Sequence, residues 1–195
     1  MAGLIFDFDG LIIDSERVLA EAIVDALAAR GAAVGFEDFG HLFGTTDADH
    51  EWDRLLPEWC AEPLSLAELE AEIAEAVRAA NDALPLLPGV GDLLAAAATI
   101  PVPVALATGS SRRSVERRLD LLGVLHHFDA VVTRADVRMG KPEPDIFLEA
   151  ARRIDVAPDE CVVFEDSLPG CQAALAAGMR VVLYPSAVGL HLAYP

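Results

Sequence analysis

Beyond residue 100, short apolar runs take turns with amphipathic stretches, and this alternation leaves the chain few architectures to fold into. Residues 102–107, 130–133, 161–164 and 180–184 read as buried strands. Between them, residues 114–122 put Val115, Leu119 and Leu122 on one helical face, and residues 143–154 do the same with Ile146, Phe147, Ala150, Ala151 and Ile154. Residues 168–177 form a further helix, stopped by Gly178. A first strand precedes all of these, the apolar run from Gly3 to Phe8 that carries Asp7. Strands that alternate with helices predict an α/β fold, a parallel sheet covered on both faces.

A helical stretch interrupts this pattern directly after the first strand. Ser15 reads as an N-cap, Val18, Leu19, Ala22, Ile23, Ala26 and Leu27 follow as an apolar stripe, and Gly31 ends it. Leu66, Leu69, Ile73, Val77 and Ala80 repeat the spacing, and residues 84–89, rich in Pro and Gly, return the chain to the sheet. The expected division is a discontinuous core of residues 1–14 and 82–195 around an all-helical unit of residues 15–81. Trp52 and Trp59, seven apart, read as core of that unit.

Charge narrows the function. The chain has a formal net charge of −18, which argues against nucleic acid as a partner. No apolar run reaches the roughly 20 residues that span a bilayer, and no signal peptide is evident at the N-terminus. Cys60, Cys161 and Cys171 lack metal-ligand spacing and suggest free thiols in a reducing cytoplasm. An anionic substrate is not drawn in by net charge, so any phosphate site has to be built locally from a cation and backbone N–H groups. Of the 14 basic residues only Lys141 is a lysine, which singles it out.

In open α/β sheets ligands collect at the carboxyl ends of strands. Four such places carry suitable groups: Asp7-Phe8-Asp9-Gly10; Thr108-Gly109-Ser110-Ser111 at the start of a helix; Gly140-Lys141-Pro142 before the next helix; and Glu165-Asp166-Ser167. Singly, each has a plain explanation, whether solvated pair, N-cap, surface lysine or dipole partner. Together, in strand-to-helix order, they point to one site. Asp7, Asp9, Glu165 and Asp166 crowd negative charge, at about 4 kcal/mol for each like pair near 4 Å at an effective dielectric of 20. Mg²⁺ relieves that with oxygen ligands. Lys141 adds a compact positive charge, and Thr108 with the N–H groups that follow it suits the remaining phosphate oxygens.

At this point the sequence resembles the haloacid dehalogenase superfamily. Residues 7–16 look like its first motif, 107–111 its second, 140–144 its third, and 164–167 with Gly170 its fourth. The likeness is closest to the phosphatases and phosphomutases with an inserted helical cap. It implies a three-layer Rossmann-like core and a set of roles. Asp7 is then the nucleophile that becomes an aspartyl-phosphate. Asp9 is the general acid and later the base, with its backbone carbonyl on the metal. Glu165 and Asp166 complete the Mg²⁺ site, and Thr108, Gly109, Ser110 and Lys141 hold the phosphoryl group. The insert is a cap that excludes water.

An acid at Asp9 favours phosphoryl transfer over dehalogenation, because a halide leaves without a proton. The sugar phosphomutases carry a His on the first cap helix and an Arg in the next loop; here Leu19 takes the first position, and residues 43–50 contain no Arg. Water is therefore the expected acceptor, with a mutase as the alternative and a non-catalytic binder of phosphorylated ligands as a third class. The expected substrate is a small phosphorylated metabolite, a sugar or polyol phosphate or a phosphoglycolate-like ester. The acidic loop with Asp47, Asp49 and Glu51, flanked by His41 and His50, reads first as a solvated helix start at Thr46-Asp47 and second as a contact for hydroxyls or an amine. A monomer or homodimer is expected. The chain ends at Pro195, where relatives commonly continue with one more sheet element.

Overall fold

The computed structural model describes residues 2–43 and 49–186. Five parallel strands form one sheet: β1 (Gly3–Phe6), β2 (Val104–Thr108), β3 (Ala130–Thr133), β4 (Cys161–Glu165) and β5 (Arg180–Leu183), in the order β3-β2-β1-β4-β5. The α/β expectation holds. The second strand begins at Val104, not at 102, since Pro101 and Pro103 have no N–H to give a ladder. The helices are α1 (Ser15–Ala28), α2 (Phe36–Phe39), α3 (Asp49–Trp59), α4 (Leu66–Ala83), α5 (Val90–Ala97), α6 (Arg112–Leu121), α7 (Asp145–Arg153) and α8 (Leu168–Ala176).

The pleat sends alternate residues to opposite faces, and both faces are buried. Ile5, Ala105, Ala107 and Val163 pack beneath α7 and α8, on Ile146, Phe147, Ala173 and Ala174. Phe6, Val104 and Leu106 pack on the other side against Leu94 and Ala97 of α5 and Val115 and Leu119 of α6. These are the three layers.

A third apolar cluster lies wholly within residues 19–77. Ile23 and Leu27 of α1 meet Leu69 and Ile73 of α4, with Phe39, Trp52 and Leu56 between. Trp52 is core as expected, 6.3 Å from Trp59 edge to face. Ser65 caps α4 with a reciprocal box: its hydroxyl accepts from Glu68 N–H, and its own N–H donates to Glu68 at 2.9 Å. Of the acidic loop, residues 44–48 lie outside the described residues, including the Thr46-Asp47 helix start. Residues 187–195 do so as well.

Ser15 departs from its expected part. Asp14 occupies the cap position, and Ser15 is the first helical residue. Its hydroxyl instead donates to Asp9 Oδ1 at 2.7 Å. As the first helical residue Ser15 lies one position past the cap, and its hydroxyl proton goes to the nearby carboxylate.

Candidate active site

Strand register sets the height of each site residue. Phe6 pairs with Phe164 and with Leu106, so Asp7 and Glu165 emerge level and Thr108 one residue further along. Pleat parity then sets the side. Asp7 and Glu165 follow Ile5 and Val163 toward the α7–α8 layer, while Thr108 follows Leu106 toward α6. The four expected strand ends therefore make a site of two halves.

In the first half, Lys141 Nζ lies 2.5 Å from Asp7 Oδ1 and 2.5 Å from Glu165 Oε1. It is 4% exposed, so the only lysine of the chain is a core residue, set 5.2 Å from the Phe147 ring centroid. Burial works against its charge, but the attraction of Asp7 and Glu165 outweighs it and holds the ammonium protonated. Glu165 is wholly buried. Its Oε2 accepts from the N–H groups of Asp166 (2.8 Å) and Ser167 (2.7 Å) and from the Ser167 hydroxyl (3.0 Å). Glu165 thus anchors Lys141 to the start of α8.

Glycine at position 170 makes room for this anchor. A Cβ there would sit 1.7 Å from Glu165 Oε1. In an ordinary helix Gly→Ala stabilises by up to about 1 kcal/mol. Here the sign should reverse: Gly170→Ala is expected to lower stability by about 1–3 kcal/mol, as overpacking does. A urea midpoint at or above that of wild type would show that the carboxylate has space to move.

Asp7, Glu165 and Asp166 are all buried, and each offers an oxygen within 4.8 Å of the others. Burial raises the carboxyls of Asp7 and Asp166 well above their usual range, and the neighbouring acids add to it. One lysine serves three buried acids. Such a set of hard oxygen donors, short of positive charge, fits Mg²⁺. The carboxylate of Asp9 stands apart from this trio, so only its backbone carbonyl is left for the metal contact expected of it.

The second half of the site holds Asp9. Besides Ser15 on Oδ1, its Oδ2 accepts from the Ser110 hydroxyl at 2.6 Å and from Thr108 Oγ1 at 3.3 Å. Ser110 N–H donates back to Thr108 Oγ1 at 3.0 Å. Ser110, expected on the phosphate, is here turned to Asp9. The N-cap reading of this loop belongs to Ser111, which accepts from Ser114 N–H.

Sequence reasoning gave no role to Glu16, yet it is buried beside the trio. A Cβ on Gly10, whose φ is +77°, would meet Asp166 Oδ2 at 2.1 Å and Glu16 Oε2 at 3.1 Å. Both acids therefore close on the one turn that has no side chain. The Ser186 hydroxyl donates to Glu16 at 3.0 Å across the length of the chain.

Burial lifts the Glu16 carboxyl from 4.5 to about 7, against the pull of Ser186. Between those values the folded protein keeps a proton that the unfolded chain has lost, so stability falls as pH rises from 4.5 to 7. In chelator, a loss of up to about 3 kcal/mol is expected across that window. Asp7 and Asp166, also raised by burial, add slope of the same sign, so Glu16→Gln should lower the slope in urea titrations without abolishing it; an unchanged slope would place its source elsewhere.

Above both halves lies a cavity of about 560 Å³, lined by Asp7, Asp9, Thr108, Gly109, Ser110 and Lys141 on the sheet side and by α1, α3 and α4 on the other. All expected catalytic residues thus face one space. Cys60, Cys161 and Cys171 are free and buried, away from that lining. No helix among the described residues is long and apolar enough to cross a membrane.

The carboxyl end of a parallel sheet that pairs a buried lysine with crowded acids, under a helical insert, defines an α/β enzyme. The chain belongs to the haloacid dehalogenase-like hydrolases, whose family model matches residues 1–178. Fructose-1-phosphate phosphatase YqaB of Escherichia coli is 37% identical, over 93% of this chain and 95% of its own length. Hexitol phosphatase B of the same species is 32% identical, over 93% and 82%. The crystal structure of CbbY from Rhodobacter sphaeroides in complex with phosphate superposes with a TM-score of 0.79 at 30% identity, covering all of this chain and 91% of that one.

Proposed function

We propose that the protein is a phosphatase that hydrolyses a small phosphorylated metabolite, with Asp7 as its nucleophile. The observation that carries this reading is the junction of the two halves. A buried carboxylate held by Lys141 and a second one held by three hydroxyls line the same cavity. The phosphatase names of YqaB and hexitol phosphatase B support it.

In this reading a carboxylate oxygen of Asp7 bonds to phosphorus as the ester oxygen departs with a proton from Asp9. Asp9 then takes a proton from water, whose oxygen bonds to phosphorus. The bond to Asp7 breaks, releasing inorganic phosphate. Lys141 and the Gly109 N–H hold the phosphoryl oxygens. Ser15, Thr108 and Ser110 orient Asp9, while Glu165 orients Lys141. Mg²⁺ held by Asp7, Glu165 and Asp166 would supply positive charge against the acids and the phosphate. Residues 15–81 act as the cap that excludes water from the cavity. Leu19 lines the cavity and gives it an apolar surface where a mutase would have its His.

The test is phosphate release from a panel of phosphorylated metabolites with Mg²⁺, repeated in excess chelator. Release that chelation abolishes and Mg²⁺ restores is expected. Full activity in chelator, or conversion without phosphate release, would contradict the reading.

A further inference from the structure

The helical wall of the cavity has a composition that the phosphate chemistry does not explain. Leu19, Ile23, Leu42, Trp52, Ile73 and Val77 make it largely apolar. Its polar groups at the α3 and α4 ends are Asp49, Glu70 and Asn81. Asp49 and Glu70 offer acceptors and no donor. Asn81 Oδ1 is buried with no hydrogen-bond partner, so it too asks for a donor.

Cations are confined to the opposite side. Among the lining residues only Lys141 and Arg134 are basic, and both lie in the sheet half. The helical unit has four arginines, all engaged at its surface: Arg17 with Asp14 and Glu21, Arg30 with Glu72, Arg54 with Glu51 and Glu58, and Arg78 with Glu75. None of the four lines this cavity. Residues 44–48 add no Lys or Arg in sequence.

We infer that the leaving group is an alcohol that brings hydroxyl or ammonium donors and carries no second anion. The inference rests on the phosphatase reading and narrows it. A single phosphate is satisfied at Lys141. A second phosphate, or a carboxylate, at the helical wall would be pressed against apolar side chains and the carboxylates of Asp49 and Glu70, with the Asn81 amide as a neutral donor and no lysine or arginine of that wall to pair it. Discrimination against it comes from that unpaired charge more than from any attraction for the preferred substrate. Bisphosphates and phosphoglycolate-like esters are therefore excluded from the substrate class, and neutral or cationic polyol and amino-alcohol monophosphates belong to it.

The test compares fructose 1-phosphate, fructose 1,6-bisphosphate and 2-phosphoglycolate with Mg²⁺. Wild-type kcat/KM is measured on each, and binding to Asp7→Asn is followed by calorimetry. The monophosphate of the neutral sugar should lead both others by at least about tenfold in each measurement. Glu70→Lys should narrow the gap to the bisphosphate by about tenfold, because it installs the missing cation. Equal or better use of the bisphosphate or of phosphoglycolate would overturn the inference while leaving the phosphatase reading intact. Preferential binding of the sugar monophosphate without any phosphate release would do the reverse. If none of the three is bound or hydrolysed, the inference falls and the phosphatase reading is decided by the metabolite panel.

Discussion

Asp7→Asn should fold as the wild type does and lose at least about 10⁴-fold in phosphate release, the scale on which removal of a nucleophile is felt. The amide has the shape of the carboxylate but neither its charge nor its nucleophilic oxygen. Little stability should be lost. Lys141 keeps Glu165 as a partner, and burial together with the neighbouring acids already disfavours the charge on Asp7. Circular dichroism and the urea midpoint should therefore stay near those of the wild type while turnover vanishes. A variant that unfolds would show instead that Asp7 is a structural ion, and one that turns over would assign the attack to another group.

Lys141→Ala is expected to damage both stability and rate. It leaves Asp7 and Glu165 buried without their shared cation, and breaking a buried pair in this way costs about 3–5 kcal/mol. The loss should be largest near neutral pH in chelator. With the lysine gone, the Asp7 carboxyl rises further above its unfolded value, so the folded state gains protons as pH falls and the deficit shrinks toward acid. Mg²⁺ should restore part of the stability, because it supplies charge to the same acids. Loss of the phosphate-holding ammonium should cost a further 10²–10³-fold in rate or so. Urea midpoints at two pH values, with and without Mg²⁺, check the first claim, and kcat checks the second. A variant as stable as wild type in chelator would mean that the acids are not charged together.

The chain order of these residues was legible because strand ends carry chemistry and local pattern reveals strand ends. Asp7, Thr108, Lys141 and Glu165 each follow an apolar run or precede a helix, and register brings them together once the sheet is parallel. What local pattern does not contain was lost. Ser15 satisfies the rule for a cap, but the helix begins at Ser15 itself, and its hydroxyl donates to the half-buried Asp9 carboxylate six residues back. The contact between Glu16 and Ser186 spans 170 positions and leaves no mark on either neighbourhood. Helix α5 shows little helical alternation, since Val90–Ala97 is apolar almost throughout. Ser110 was expected on the phosphate because residues 107–111 resemble a family motif, and the structure adds that both its donors are already engaged by Asp9 and Thr108. The charge arithmetic, by contrast, held from the start. Most arginines are in surface ion pairs, whereas the single lysine is buried against the carboxylates of Asp7 and Glu165.

The central claim, that Asp7 carries the phosphoryl group, is reached most directly by acid quench on the millisecond scale with a substrate labelled at phosphorus, followed by peptide mapping. With a labelled aryl phosphate, whose leaving group departs without a proton, Asp9→Asn should slow breakdown of the intermediate more than its formation, so that label accumulates on the peptide containing Asp7. Label on any other peptide, or phosphate release in a burst with no labelled protein, would contradict the account.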